Sequence, residues 1–123
     1  MKAPKAPKAP KVSLGERKLH WQLHVATKFH VETQYPFHPT RKFRADFAIW
    51  PTAEKGCPPL LVEVNGAKYG KPGAHQRVDG LDRDYRRAAE ALKLGMQMIS
   101  VSYRMVQDGT ALATIEELLG VSG

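Results

Sequence analysis

Two acids stand where acids are costly. Asp46 lies in the middle of KFRADFAIW and Glu63 in the middle of LLVEVN, both otherwise apolar, strand-like segments. A buried carboxylate without a partner is expensive, so each needs a reason to be there. Alternation turns Phe43, Ala45, Phe47 and Ile49 to one side, and Arg44, Asp46, Ala48 and Trp50 to the other. Glu63 and Asn65, two apart, share a side of the next strand. If those sides coincide, Asp46, Glu63 and Asn65 converge. Two carboxylates so placed repel unless a cation or a proton intervenes. Their hard oxygens suit Mg2+, with Mn2+ as the alternative, water and substrate phosphate completing the coordination. Such a centre activates a water and stabilises charge on a phosphodiester. The competing account is structural: Asp46 pairs with Arg44 or Lys42, and Glu63 with an arginine of the following helix. One mid-strand acid favours that account, whereas two on adjacent strands beside an Asn favour a site.

The elements that must position these acids are legible in order. Ser13 and Glu16 have the Ser-x-x-Glu spacing of a capping box, so a helix is expected over 14–28. Leu14, Arg17, Trp21 and Val25 form its expected inward stripe, widened by Leu19 and Leu23. Strands are expected over 31–37, 42–50, 60–65 and 96–103. The first is the weakest, because Pro36 suits only an edge or a strand end. Residues 66–80, with four glycines and Pro72, read as a long mobile loop. A helix over 82–94 follows, with acids in its first turn, Gly95 as its stop, and Leu81, Tyr85, Ala88 and Leu92 facing inward. A last helix over 110–119 buries Leu112, Ile115 and Leu119. Short connections make the first three strands an antiparallel meander, and the helical crossover makes the last pairing parallel. The expected fold is α/β, a mixed four-stranded sheet flanked by helices.

At 123 residues the chain has room for one domain. Its net charge of +7 is concentrated at the start, where Lys2, Lys5, Lys8 and Lys11 punctuate the repeat MKAPKAPKAPK. Proline at every third position forbids a helix, and no apolar face is present to bury, so residues 1–12 are expected to form a disordered basic tail ahead of a domain over 13–123. Its four lysines would add about −3.6 to the log–log salt slope of DNA binding. A merely solubilising tail accounts for them equally well. No apolar run approaches the roughly 20 residues of a membrane span, and the N-terminus has no signal-peptide pattern. The single Cys57 excludes an intrachain disulfide and fits a reducing compartment.

RKFRADFAIWP, then LLVEVNG, then the glycine-rich stretch with Ala74-His75-Gln76-Arg77, then a charged helix closing on Leu94-Gly95, then MQMISVSY, resemble the PD-(D/E)XK nuclease superfamily. More narrowly, they resemble its small phage-type members, which carry an R-x-D-F-A strand and an E-V-E-G strand and are related in fold to very-short-patch-repair-like nucleases. The resemblance covers roughly residues 35–103. It implies a restriction-endonuclease-like core and a cytoplasmic, metal-dependent DNA endonuclease of a bacterial or phage-infected cell. The implied role is in repair or recombination on branched, nicked or mismatched DNA. Asp46 and Glu63 take the metal-ligand positions, joined by the main-chain carbonyl of Val64. Glu16 is similar in place to an acid that many members carry on the first helix, although the capping box already accounts for it. The chain departs from the pattern at Asn65, where the superfamily has a lysine that stabilises charge and orients water. A replacement cation would come from Lys68 or Lys71, or from Arg83, Arg86 or Arg87. Arg87 falls where a helix lysine is found in the narrower group, but arginine is a poor proton donor.

His75 is placed to contact the scissile phosphate or to move a proton, with a plain surface histidine as the equal alternative. Lys68, Lys71, Arg77, Arg83, Arg86 and Arg87 make the best phosphate-binding surface of the domain. His20 and His24 have helical spacing for a metal but lack a third ligand, so a solvated face explains them better. His30 and His38 carry no signal, and Trp21 and Trp50 read as core. Symmetric cutting would require a homodimer, for which no exposed apolar stripe is legible. Two other readings compete: a catalytically inactive DNA-binding module of the same fold, and a basic RNA-associated protein acting through the Lys-Ala-Pro tail.

Overall fold

The computed structural model describes residues 12–26, 29–65 and 74–120. The Lys-Ala-Pro tail, Lys68 and Lys71 lie outside them. Four strands, β1 (His30–Pro36), β2 (Arg44–Trp50), β3 (Leu60–Asn65) and β4 (Met98–Ser102), form one sheet in the order β1-β2-β3-β4. The first two pairings are antiparallel and the last is parallel. The parallel pairing follows from the crossover through α2 (Ala74–Lys93), and β1 with its terminal Pro36 is an edge, as expected for a residue that cannot donate to a ladder. Among the described residues, no helix is long and apolar enough to cross a membrane.

Helices cover both faces. On one, α1 (Leu14–Ala26), α3 (Tyr103–Asp108) and α4 (Thr110–Leu118) pack Leu19, Leu23, Val106, Ala111 and Ile115 onto Phe47, Ile49, Leu60, Val62, Val64 and Val101. On the other, Ala91 of α2 meets Ala48, Trp50 and Leu61. The short helix α3 was not expected. Ser102 ends β4 and caps α3, its hydroxyl accepting from the Met105 N–H, so Tyr103 belongs to a helix and not to a strand. Leu112 and Leu119 pack at the margin of the first core while Ala111 and Ile115 are fully buried in it.

Both inward helix stripes read from the sequence turn outward instead. Leu14, Trp21 and Val25 are more than half exposed, as are Tyr85 and Leu92, with Leu81 close behind. In α1 the tertiary structure selects the opposite side of the helix, Leu19 and Leu23. The helix carries apolar residues on two sides, and periodicity alone cannot rank them. In α2 the small Ala91 and the side chain of Arg87 face the sheet. The helix also begins earlier than expected, so residues 74–80, read as loop, are its first turns. Asp82 and Asp84 thus lie beyond its first turn. Leu23→Ala should cost about 2–5 kcal/mol, whereas Trp21→Ala should stay within about 0.5 kcal/mol. Urea denaturation of the two variants will separate the buried side of α1 from the exposed one.

The β1–β2 ribbon changes facing at the level of Asp46. Pairs on either side of it keep one register, Thr33 with Phe47 and Tyr35 with Ala45. Yet Val31, Phe47 and Ile49 pack toward α1, while Tyr35 and Ala45 pack with Ala48 and Trp50 on the α2 side. The simple alternation expected through Ala45 and Phe47 therefore breaks. Gln34, between Thr33 and Tyr35, has φ 49, in the left-handed region that a glutamine rarely adopts.

Candidate active site

The β2–β3 ladder runs Ile49–Leu60, Ala48–Leu61 and Phe47–Val62. Asp46 and Glu63 come next in that register. Here a side chain takes over from the backbone, and the Val64 N–H donates to Asp46 Oδ2 at 2.8 Å. A charge-assisted bond of this kind contributes about 1.5–3 kcal/mol. It also fixes the Asp46 carboxylate at the point where the two strands cease to pair.

Glu63 is held from the α2 side. The Arg87 guanidinium donates to Glu63 Oε1 and to the main-chain carbonyl of Arg44, so it ties α2 to both central strands. The side chains of Arg87 and Glu63 are 14% and 13% exposed, which sets this pair apart from the surface ion pairs of the molecule. Asp84 flanks Arg87 at 3.7 Å. The salt bridge to a helix arginine foreseen for Glu63 thus exists. No pair of Asp46 with Arg44 or Lys42 forms among the described residues. Despite Arg87, the Glu63 carboxyl is pushed up to about 7. Burial is the largest cause, and the Asp46 charge adds to it, while the bond from Arg87 opposes both.

Glu16 enters from α1. The capping box forms in both directions, with Glu16 N–H donating to Ser13 Oγ at 3.1 Å and Ser13 N–H to Glu16 Oε1 at 3.4 Å. The other oxygen, Oε2, accepts from the Gln34 side-chain amide at 3.3 Å. Burial raises the Glu16 pKa first and Asp46 raises it further, so the two carboxylates sense each other. Gly15 permits this approach: a Cβ there would meet Val64 Cγ1 at 2.9 Å and Tyr103 Cδ2 at 3.2 Å. The absence of a side chain lets the start of α1 settle on β3 and α3, which carries Glu16 to a cleft of about 100 Å³ shared with His20, Gln34 and Asp46. Glu16 therefore caps α1 and lines the cleft at once.

Three carboxylates, from α1, β2 and β3, are electrostatically coupled through Asp46. The donor chemistry fits Mg2+ or Mn2+: hard oxygens, excess negative charge, and a protonation equilibrium at Glu63 displaced by a nearby cation. Among the described residues, no three acidic, histidine or cysteine side chains are drawn together tightly enough to enclose an ion. Magnesium sites built on one or two carboxylates, with water and phosphate supplying the other ligands, need no such enclosure.

The other candidates are distributed unevenly. Asn65 closes β3 opposite Ser102, exposed, on the side of the strand that carries Glu63. Arg83 and Arg86 remain exposed, with Arg86 bonded to Asp82 across one helical turn. Arg87 turns inward and leaves the phosphate-binding surface expected of it. His75 and Arg77 lie on the backbone of the first turns of α2 and not in a loop. His30 pairs with Glu32 and His38 with Glu90, both structural. Trp50 is buried as expected. One contributor, Gln34, carried no signal in the sequence. His20, set aside there with His24 as a solvated helix face, lies four residues after Glu16, a spacing that places it on the same flank of α1. No family model, curated protein or solved structure matches this chain.

Proposed function

We propose that this chain is a metal-dependent endonuclease of the PD-(D/E)XK type, hydrolysing DNA phosphodiester bonds, with branched, nicked or mismatched DNA as its substrates in repair or recombination. One observation carries the reading: Asp46 and Glu63 stand opposite each other one step beyond the last ladder pair, Phe47 with Val62, where β2 and β3 part, and Asp46 is anchored there by the Val64 N–H. A structural salt bridge would require one acid and one base. This site has a second acid beside the pair, and a third, Glu16, behind it.

Asp46 and Glu63 would hold Mg2+ with the Val64 carbonyl, and the ion would supply Lewis acidity toward the phosphate and a more acidic water. Arg87 holds Glu63 in place and offsets part of the site's negative charge. Asn65, in the place of the superfamily lysine, offers a hydrogen bond to water or substrate without adding charge. Glu16 and Gln34 define the α1 side of the cleft.

The test is cleavage of supercoiled plasmid and of a synthetic four-way junction with Mg2+ or Mn2+, wild type against Glu63→Gln. Metal-dependent cutting that the substitution abolishes is the expected result. DNA binding without cutting on any substrate would replace this reading with that of a non-cleaving DNA-binding module. The Arg87 pair already engaging Glu63, together with Asn65, is the observation that favours that alternative.

A further inference from the structure

A groove runs from the acidic centre along α1 and ends beyond the reach of any residue given a role above. His20 lines the cleft of about 100 Å³ that contains Glu16, Gln34 and Asp46. It also lines a second cavity of about 210 Å³, shared with Leu23, His24, Phe29 and Val31. His20 is common to both, so the two cavities adjoin at its side chain along the groove between α1 and β1. Glu16, His20 and His24 follow one another at intervals of four residues, so they line one flank of α1. The opposite wall is the edge strand β1, through Val31 and Thr33.

The chemistry changes along this groove. At the Asp46 end it is acidic. At the other end Phe29 and Val31, both partly buried, line the cavity beneath two exposed imidazoles, and the fully buried Leu23 closes it from the core. Each imidazole has an N–H that can donate to a phosphate oxygen. Arg17 and Lys18 are exposed on the same helix and bring positive charge to its solvent side. Set against the roughly 30 Å³ of a liquid water, the larger cavity, at about 210 Å³, holds a phosphate with its sugar. A duplex is too wide to enter it.

We infer that the groove between α1 and β1 binds a single DNA strand, with His20 and His24 donating to consecutive phosphates, and that it delivers this strand to Asp46. The inference deepens the nuclease reading and rests on it. It assigns as substrate a DNA with an unpaired segment, such as a flap, a gap or a frayed branch, over an intact duplex.

Fluorescence anisotropy tests it with a fluorescein-labelled single strand and a blunt duplex of the same sequence. Binding is measured in a Glu63→Gln background, so that no strand is cut. His20→Ala/His24→Ala should weaken single-strand binding about tenfold and duplex binding less than about twofold, the loss expected for removing two hydrogen-bond donors. His20→Gln/His24→Gln, which restores an N–H donor at each position, should recover most of the affinity. Both histidines are exposed, and an unchanged thermal midpoint will show that the fold is intact. Unaltered single-strand binding in the alanine variant overturns the inference, and leaves the nuclease reading standing if Glu63→Gln still abolishes cleavage. Absence of cleavage by the wild type overturns the nuclease reading, and selective loss of single-strand binding would then keep the groove as a strand-binding site.

Discussion

Asp46→Asn will leave the protein folded and remove the metal-dependent cleavage proposed for it. The Asn side-chain oxygen can still accept the Val64 N–H, which Asp46 Oδ2 accepts at 2.8 Å. The junction between β2 and β3 should therefore persist, and the urea midpoint should move by less than the equivalent of about 1 kcal/mol. Asn lacks the negative charge that a hard cation requires. Cleavage of plasmid in Mg2+ should fall on the order of a thousandfold, about 4 kcal/mol of barrier. Asp46→Ala should lose activity equally and stability as well, because the Val64 N–H is then left without its acceptor, a loss of about 1–3 kcal/mol. The comparison separates the two duties of one carboxylate. Full activity in Asp46→Asn would remove Asp46 from the metal site and return it to a purely structural role.

Without divalent metal, the wild type will lose stability as pH rises from 4.5 toward 7, and Glu63→Gln will lose much less. The Glu63 carboxyl is pushed up from 4.5 to about 7, by burial first, with the Arg87 hydrogen bond opposing and the Asp46 charge reinforcing. Within that window the folded protein keeps a proton that the unfolded chain has released. The folded state binds more protons, so its stability declines with increasing pH, and the decline is complete just above the folded pKa. At 1.36 kcal/mol per pH unit, the loss amounts to about 3 kcal/mol at most. Urea unfolding at a series of pH values should give a falling curve for the wild type and a flatter one for Glu63→Gln. The two curves should lie closest near pH 4.5 and farthest apart at pH 8. Adding Mg2+ at pH 8 should stabilise the wild type preferentially, by mass action on the folded state. A flat wild-type curve would mean that the guanidinium of Arg87 fully offsets burial and Asp46. Glu63 would then be an ordinary ion-pair partner with no unmet need for a cation.

The placement of these acids was legible because it depends on local signals. Two apolar segments, each with a carboxylate in its middle, short connections between the first three strands and one helical crossover already determine an antiparallel pair carrying Asp46 and Glu63 on adjacent strands. Ser13 and Glu16 specify the start of α1, and Gly95, with φ 81, ends α2 as its position implies. Pro36 confines β1 to an edge. Each of these signals acts within a few residues, so the chain displays it without the rest of the molecule.

The remainder was decided by tertiary contact. α1 carries apolar residues on two sides, and only packing against Phe47, Val62 and Ile115 selects Leu19 and Leu23 over Trp21 and Val25. α2 turns its more regular apolar stripe to solvent and Arg87 to the sheet, where Glu63 would otherwise be a buried carboxylate without its partner, a cost of about 3–5 kcal/mol. The change of facing in the β1–β2 ribbon depends on Gln34 adopting a left-handed backbone that glutamine does not favour, so no propensity announces it. That change brings Glu16, Gln34 and Asp46 together at one cleft. Alternation in sequence says which residues share a side of a strand only while the strand stays regular, and this one departs from regularity at Asp46, where the strands part and a carboxylate replaces the backbone as hydrogen-bond acceptor.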